Sequence, residues 1–519
     1  MAIFARKPLE LLLEEMKGEN RLRRILGPVQ LTSLGIGAII GAGIFVATGA
    51  AAHNVGGPAL MLSYTVAGIT CVFAALCYAE FASMVPVAGS AYTYAYATLG
   101  ELFAWIIGWD LVLEYAVGSA TVATGWSGYF QNVLAKMNIF LPATLQTSPW
   151  RYDPASAQHL VSTGAFVNLP AVVIVTILTF VLVKGIHESA NFNATMVAIK
   201  VTAVLFVIIV GAFYITPANW HPFAPYGWSG LSFFGHHVAG KVNPGGDPVG
   251  MLAGAAIIFF AYIGFDSVST HTEEAKNPQR DVPIGIVVSL VVCTVLYIAV
   301  VAVLTGMVKY NQLDIAAPVS QAFKHVGIGW AEGVIALAGV AGITSVMLVM
   351  MLSAPRVFLA MARDGLVSKS FFGDVHPRFR TPWKATILIG IAVIIMSGLL
   401  PLDALLLLTN IGTLFAFVIV CAAVLIMRKK YPNAERPFRC PWVPFVPIMG
   451  VLSCLMLMFS LPTENWYRLF IWMALGLVIY FLYGRKHSVM AVNLEREIAE
   501  HGTAGAYTSG NREPAPRQP

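Results

Sequence analysis

One stretch constrains this chain more than any other: the apolar run 31–51, which carries Gly41-Ala42-Gly43 in its middle. At about 1.5 Å of rise per residue a helical run of this length crosses a bilayer. Glycines are poor helix formers and interrupt it at mid-depth. In hydrocarbon, interrupted backbone leaves N–H and C=O groups without water, so such a break stands only where protein or a wet cavity surrounds it. The N–H groups opening the second half carry partial positive charge and suit a carboxylate, while carbonyls closing the first half suit an ammonium. The break is therefore read as a site for a small zwitterion, an amino acid. The simpler reading is a glycine face for close helix packing.

Composition agrees with a membrane setting. Of 519 residues 57% are hydrophobic and only 11% charged, which excludes a set of soluble domains and matches a multi-pass membrane protein. Apolar runs follow one another at 31–51, 58–85, 100–135, 165–183, 192–216, 249–273, 284–307, 330–361, 384–400, 402–427, 442–461 and 466–484, predicting twelve spans. The net charge of +6 does not imply a nucleic-acid partner, because the basic residues fall in alternate loops. One side holds Arg6, Lys7, Lys17, Arg21, Arg23, Arg24, then Lys276, Arg280, the loop 363–384, Arg428-Lys429-Lys430, Arg436, Arg439, Arg485 and Lys486. The other holds Lys136, Arg151, Lys241, Lys309, Lys324 and Arg468. By the positive-inside rule both termini are cytoplasmic, and the aromatic stretch 219–228 lies at the outer interface. Residues 1–30 form a cytoplasmic segment without the apolar core of a signal peptide. Within it, 9–16 reads as an amphipathic surface helix. The polar residues 487–519 read as a disordered tail. Six scattered cysteines show neither metal spacing nor a disulfide framework, so free thiols are expected.

The sixth run repeats the peculiarity of the first, with Gly264 and Asp266 inside Phe260-Ala261-Tyr262-Ile263-Gly264-Phe265-Asp266-Ser267. Interrupted segments five helices apart are the mark of an inverted repeat, 31–216 against 249–427, with the substrate at their interface and 442–484 appended. Asp266 and Ser267 are good N-cap residues, and Asp266 is expected to cap the second half-helix structurally. Asp110 and Glu114 share a face of the third run, and Lys200 lies inside the fifth. Ionisable groups at these depths mark ion or substrate pathways by default, although Lys200 in a purely structural pair with a carboxylate is an equal alternative. A fixed ammonium removes the need for sodium, so proton coupling through Glu114 and Lys200 is predicted. Thr409-Asn410-Ile411-Gly412 in the tenth run reads as part of a gate, or as small-residue packing. Gly125-Trp126-Ser127-Gly128 matches a serine-protease pattern but has no base beside it, and no His-Glu-x-x-His occurs, so neither an enzyme nor a metal or cofactor site is expected.

The stretch 35–45, Pro86-Val87-Ala88-Gly89-Ser90-Ala91-Tyr92-Thr93-Tyr94, 260–266, and Glu273-Glu274-Ala275-Lys276-Asn277-Pro278 running on to Ile286 resemble the amino acid/polyamine/organocation superfamily, most closely the bacterial twelve-helix members of its cationic amino acid transporter branch. The resemblance covers nearly all of 26–486. It implies an all-α membrane protein of the LeuT type, five plus five inverted helices with two added and helices 1 and 6 broken, in the inner membrane of a bacterium. It also implies uptake of L-amino acids coupled to protons. Carried over position by position, it puts the substrate carboxylate on the amides of Ala42, Gly43 and Ile44. The amino group faces the carbonyls of Ile39, Phe260, Ala261 and Ile263, Met350 shapes the side-chain pocket, and Glu114 and Lys200 serve coupling. Two positions depart from the pattern: Ala42 stands where many relatives carry Ser or Thr, and Met350 is apolar where arginine carriers are polar. Small neutral amino acids are thus expected as readily as cationic ones. The alternatives are an amino acid or polyamine exchanger without proton linkage and a membrane amino acid sensor that does not transport. A small single-span partner is a further expectation.

Overall fold

Proline and asparagine set several helix starts in the computed structural model, which describes residues 26–84, 90–153, 160–185, 190–233, 236–270, 272 and 275–492. The surface helix expected at 9–16, Pro86-Val87-Ala88-Gly89, Glu273-Glu274 and the tail from 493 lie outside the described residues. Helix α1 (Pro28–Ile39) opens on Pro28, whose missing N–H falls where a helix has no acceptor for it. After it come α2 (Leu60–Met84), α3 (Glu101–Lys136) and α4 (Leu169–Lys184), the last capped by Asn168, which accepts the Ala171 N–H at 3.4 Å. Helices α5 (Ala190–Ala212), α6 (Met251–Ile258), α7 (Pro278–Met307), α8 (Gly329–Arg363), α9 (Trp383–Leu399), α10 (Leu402–Lys430), α11 (Phe445–Met458) and α12 (Thr463–Ile479) follow, with shorter helices at Ser90–Thr98, between α2 and α3, and at Pro318–His325, between α7 and α8.

Among the described residues seven helical stretches are long and apolar enough to cross a membrane, the first of them Pro28–Met84, which contains both α1 and α2. Leu169–Lys184, Met251–Tyr262, Trp383–Leu399 and Phe445–Met458 are shorter apolar helices. The outward faces of the long and the shorter helices carry Ile177, Phe180, Ile209, Val295, Leu337, Ile395 and Ile471, all exposed, the surface that lipid tails cover. Three short antiparallel hairpins interrupt this helical picture in loops where no regular structure is predicted: 150–152 with 160–162, 231–233 with 236–239, and 241–242 with 248–249. All six cysteines are free and buried.

Helix α3 is the axis of the bundle, packed against α8, α10, α9 and α12, while α7 lies along α1 and α2. Indoles set the register of α3 on α12: Trp105 Nε1 donates to Gly476 O (2.9 Å), Trp109 Nε1 to Trp472 O (2.9 Å), and Trp472 Nε1 back to Trp109 O (3.0 Å). Four residues forward on α3 thus answer four residues back on α12, an antiparallel pairing. The same register corrects the placement of Arg468. Grouped by sequence with the loop cations, it sits inside α12, level with the turn between Asp110 and Glu114, with Nε, Nη1 and Nη2 all buried. Two other deep carboxylates are well supplied with donors. Glu80 receives Arg428 Nε (3.1 Å) and Nη2 (2.6 Å) and the Cys440 N–H (2.8 Å). Glu101 receives the hydroxyls of Tyr96 and Tyr480, both at 2.9 Å, and that of Ser488.

Candidate functional site

The ladder of α1 stops with the Ile40 N–H bonded to Ile36 O at 2.9 Å. Ile40 then turns to φ −71°, ψ 106°, and the chain resumes as a wide helical turn over Gly43–Ala47. The first backbone bond beyond the break is Phe45 N–H to Gly41 O at 3.2 Å, so the amides of Ala42, Gly43 and Ile44 stand ahead of the second ladder. In the sixth segment α6 tightens into a 3₁₀ turn, Phe259–Tyr262, after which Ile263 (φ −56°, ψ 130°) and Gly264 (φ 118°) reverse the chain before a short helix, Ser267–Thr270. Gly264 is required there, because that φ is open to glycine and strained for other residues.

The two breaks lie against each other. A Cβ on Gly43 would stand 2.2 Å from Ala261 Cα, and one on Gly264 would stand 2.7 Å from Ala38 O. Every residue expected to hold substrate is buried: Ile39, Ala42, Ile44, Phe260, Ala261, Ile263 and Met350 are each 5% exposed or less, and Gly43 is buried. Ile39 O and Ala261 O converge on one point, the Tyr297 hydroxyl of α7, at 2.8 and 3.1 Å. Phe260 O accepts the Ile263 N–H at 3.2 Å, closing the 3₁₀ turn. The Asp266 carboxylate folds back on the turn, accepting from the Gly264 N–H (3.3 Å) and from the Tyr115 hydroxyl of α3 (3.0 Å). Met350 reaches α3 one turn from Glu114, its Sδ 3.3 Å from where a Cβ on Gly118 would be.

Glu114 and Lys200 are not brought together. Lys200 donates from Nζ to Gly37 O at 2.6 Å, a carbonyl of α1 rather than a carboxylate. Glu114 instead lies within electrostatic reach of Asp266, Asp110 and Arg468, and its Oε2 is buried without a hydrogen-bond partner among the described residues.

Side chains of Thr48, just beyond the first break, and of helices other than the broken ones satisfy the opened backbone, and sequence reasoning missed most of them. Tyr64 Oη and Thr48 Oγ1 reach Gly43 O at 3.4 and 3.3 Å, and Tyr129 donates to Phe45 O at 2.5 Å. Asn410 Nδ2 donates to Ala256 O (2.9 Å) and Ile257 O (2.8 Å), carbonyls at the end of α6. The 409–412 stretch thus supplies a clamp on the sixth segment. The available signal was polar residues at mid-depth of apolar runs, which in lipid must find partners.

Tyr297→Phe takes away the one hydroxyl proton shared by Ile39 O and Ala261 O. Buried carbonyls left unpaired cost about 1–3 kcal/mol. The variant is expected to melt several degrees lower in detergent, and a saturating amino acid should restore more of its stability than it adds to the wild type, because a bound ammonium supplies the missing donors. Equal melting temperatures without ligand would exclude this role.

A family model described as amino acid permease matches residues 26–481. The methylthioribose transporter of Bacillus subtilis (strain 168) is 45% identical over 489 residues, 94% of this chain and 99% of that protein. The branched-chain amino acid permease BcaP of the same organism is 46% identical over 488 residues, 94% of this chain and 98% of its own length. The vacuolar cationic amino acid transporter 4 of Arabidopsis thaliana is 29% identical over 590 residues, covering 91% and 94%. These relatives are transporters, not enzymes. With the match running from the start of the first helix almost to the end of the last, and two bacterial carriers related along nearly their whole length, the chain belongs to the amino acid permease family.

Proposed function

We propose that the chain is a secondary active transporter of L-amino acids, working by alternating access in the plasma membrane of a bacterium with both termini cytoplasmic. One observation carries the reading: two interrupted helices touch at Gly43 and Ala261, with free amides on one side of the contact and carbonyls on the other. In this reading Pro28–Met84 makes two passages and, with the other long and short apolar helices, gives twelve. Five plus five of these form an inverted repeat, 31–216 and 249–427, with 442–484 appended and 1–30 and 487–519 as cytoplasmic flanks. The substrate carboxylate sits on the amides of Ala42, Gly43 and Ile44. Its ammonium displaces the Tyr297 hydroxyl from the carbonyls of Ile39 and Ala261, with Ile263 and Phe260 beside it. Asp266 holds the turn. Transport is driven by protons, with Glu114 and Lys200 in the coupling path.

The side-chain pocket favours apolar amino acids. Met350 is an unbranched thioether packed on Gly118, and a soft apolar wall suits aliphatic side chains. The relative BcaP is described as carrying branched-chain amino acids, in the same direction. Methylthioribose, named for the other bacterial relative, has neither carboxylate nor ammonium and would leave both backbone poles of the site idle.

The test is uptake by the full chain in liposomes, with labelled leucine, alanine, arginine and methylthioribose, with and without an inside-alkaline pH gradient. Leucine or alanine is expected to accumulate only with the gradient. Trans-stimulated exchange with no gradient response would make the protein an exchanger, and binding without flux a sensor. Arginine or methylthioribose carried in preference would overturn the assignment of the pocket.

A further inference from the structure

Asp110 and Glu114 on α3 sit in a charge arrangement unlike that of Glu80, Glu101 and Asp266. Glu80, Glu101 and Asp266 each accept hydrogen bonds from named donors. Among the described residues, Asp110 Oδ1 and Oδ2, Glu114 Oε2 and all three guanidinium nitrogens of Arg468 are buried and have no hydrogen-bond partner. Asp110 and Glu114 lie one helical turn apart on the same face, and the indole register of α3 on α12 brings Arg468 level with the gap between them. Both carboxylates lie within electrostatic reach of that guanidinium.

We propose that Asp110, Glu114 and Arg468 form one internal proton site, in which the two carboxylates share a single exchangeable proton and Arg468 balances the remaining negative charge. This deepens the proposed function and rests on its proton-driven reading. The reason is charge counting. Two ionised carboxylates and one guanidinium leave a net negative charge in a dry interior, which is expensive; one bound proton makes the group neutral. Two carboxylates a turn apart titrate as a pair, so the proton belongs to the site rather than to either residue. A sodium ion is the other way to supply the missing charge. The guanidinium disfavours it, because a positive charge already stands level with the gap and repels a second cation.

The site connects to the broken helix. Besides Asp110 and Arg468, Glu114 is faced by Asp266 from the sixth segment, by Thr413 of α10 and by the hydroxyls of Tyr115 on α3 and Tyr78 on α2. Tyr115 donates to Asp266, and Asp266 in turn accepts from the Gly264 amide at the break. When the proton leaves, negative charge appears beside Asp266 and weakens its seat on that amide. Arg468 thereby gives α12, outside the proposed repeat, a positioning role in coupling.

The test is uptake against external pH, at fixed internal pH, in liposomes holding the full chain. Arg468→Gln removes the positive charge, so the site keeps its proton to higher pH and the uptake midpoint moves alkaline by about one pH unit or more. Asp110→Asn removes a negative charge, leaves Glu114 to pair with Arg468 alone, and moves the midpoint acid by a similar amount. The double variant returns towards the wild type, and Arg468→Lys stays close to it. Unmoved midpoints, shifts in the same direction, or uptake that requires sodium would overturn the site. A wild type without any gradient response would overturn the parent reading instead, and is distinguished by that arm alone. Should Arg468→Gln fail to insert, infrared titration of the purified protein decides: the protonated-carboxyl band seen in the wild type should titrate at lower pH in Asp110→Asn, and an unchanged titration overturns the proposal.

Discussion

Gly43→Ala is expected to abolish transport while leaving a protein that still inserts and purifies. The added methyl would stand 2.2 Å from Ala261 Cα, 2.4 Å from its Cβ and 3.1 Å from its N, and two of those three atoms are backbone. A flexible side chain could turn away; a 3₁₀ turn cannot, so the breaks must move apart. Overpacking of this kind costs about 1–3 kcal/mol even where side chains yield. Here it falls on the groups proposed to hold both ends of the substrate. Because 1.4 kcal/mol is tenfold in affinity, a loss of about 100-fold in substrate affinity is the expected scale. Two controls separate the clash from a general effect of alanine. Gly329→Ala at the start of α8 meets nothing nearer than Lys136 Nζ at 3.9 Å and should transport normally. Gly43→Ala combined with Ala261→Gly removes the Cβ but not the Cα clash and should recover only part of the loss. Binding measured by scintillation proximity, beside gel filtration in detergent, reads the outcome. A Gly43→Ala protein with wild-type affinity would mean that the contact between the breaks is not where substrate is held.

How far the fold and site could be read in the sequence depended on whether each signal was local. Apolar runs and their interruptions are local, so 31–51 with Gly41–Gly43 and 249–273 with Gly264 pointed to where the structure turns its helices off. The ends of the apolar helices follow the same logic: Pro28 and Pro278 start them, and Arg428-Lys429-Lys430 closes α10 where cations meet the helix dipole. What satisfies an opened helix is not local. Tyr297 is 258 positions from Ile39, Asn410 is 154 from Ala256, and hydropathy sees each only as one polar residue in an apolar run. The partners of Glu80 were hidden likewise, Arg428 lying 348 positions away. Arg468 misled for a different reason. A cation near the end of an apolar run reads as an interfacial anchor, and only the indole hydrogen bonds of α3 with α12, together with the stacking of Trp109 on Trp472 at 4.4 Å between ring centroids, set the register that buries it. The hairpins at 150–162 and 231–249 escaped notice because strands of two to four residues leave too short an alternation to register.

Lys200→Ala should remove the response to a pH gradient while leaving the broken helices recognisable by their ligand. Lys200 is 1% exposed and its Nζ donates to Gly37 O at 2.6 Å. That oxygen is the next carbonyl after Ile36 O, which takes the last bond of the α1 ladder, so the ammonium stands where a continuous helix would have put the Gly41 N–H. A cation at a helix C-terminus is favourable, by up to about 2 kcal/mol when partly buried. Protonated, Lys200 ties α5 to the closing turn of the first half-helix three residues before Ile40 leaves helical geometry. Deprotonated, the amine still donates but no longer has the charge that the helix end attracts, and α1 is freer to shift against α5. The Cβ position of Gly342 lies 3.2 Å from Lys200 Cγ, so α8 bounds the same side chain and would feel that shift. With alanine the tie is absent at every pH, and gradient-driven accumulation should fall at least about tenfold, in line with the few kcal/mol by which coupled sites ordinarily communicate. Lys200→Met, which keeps the volume without the charge, should behave like alanine; counterflow at equal pH should persist in both at reduced rate. The wild type and both variants are compared in one proteoliposome series with internal pH held above external. Accumulation in Lys200→Met equal to that of the wild type would remove the ammonium from coupling and leave it as a C-terminal cap of α1, with the proton carried on α3 alone.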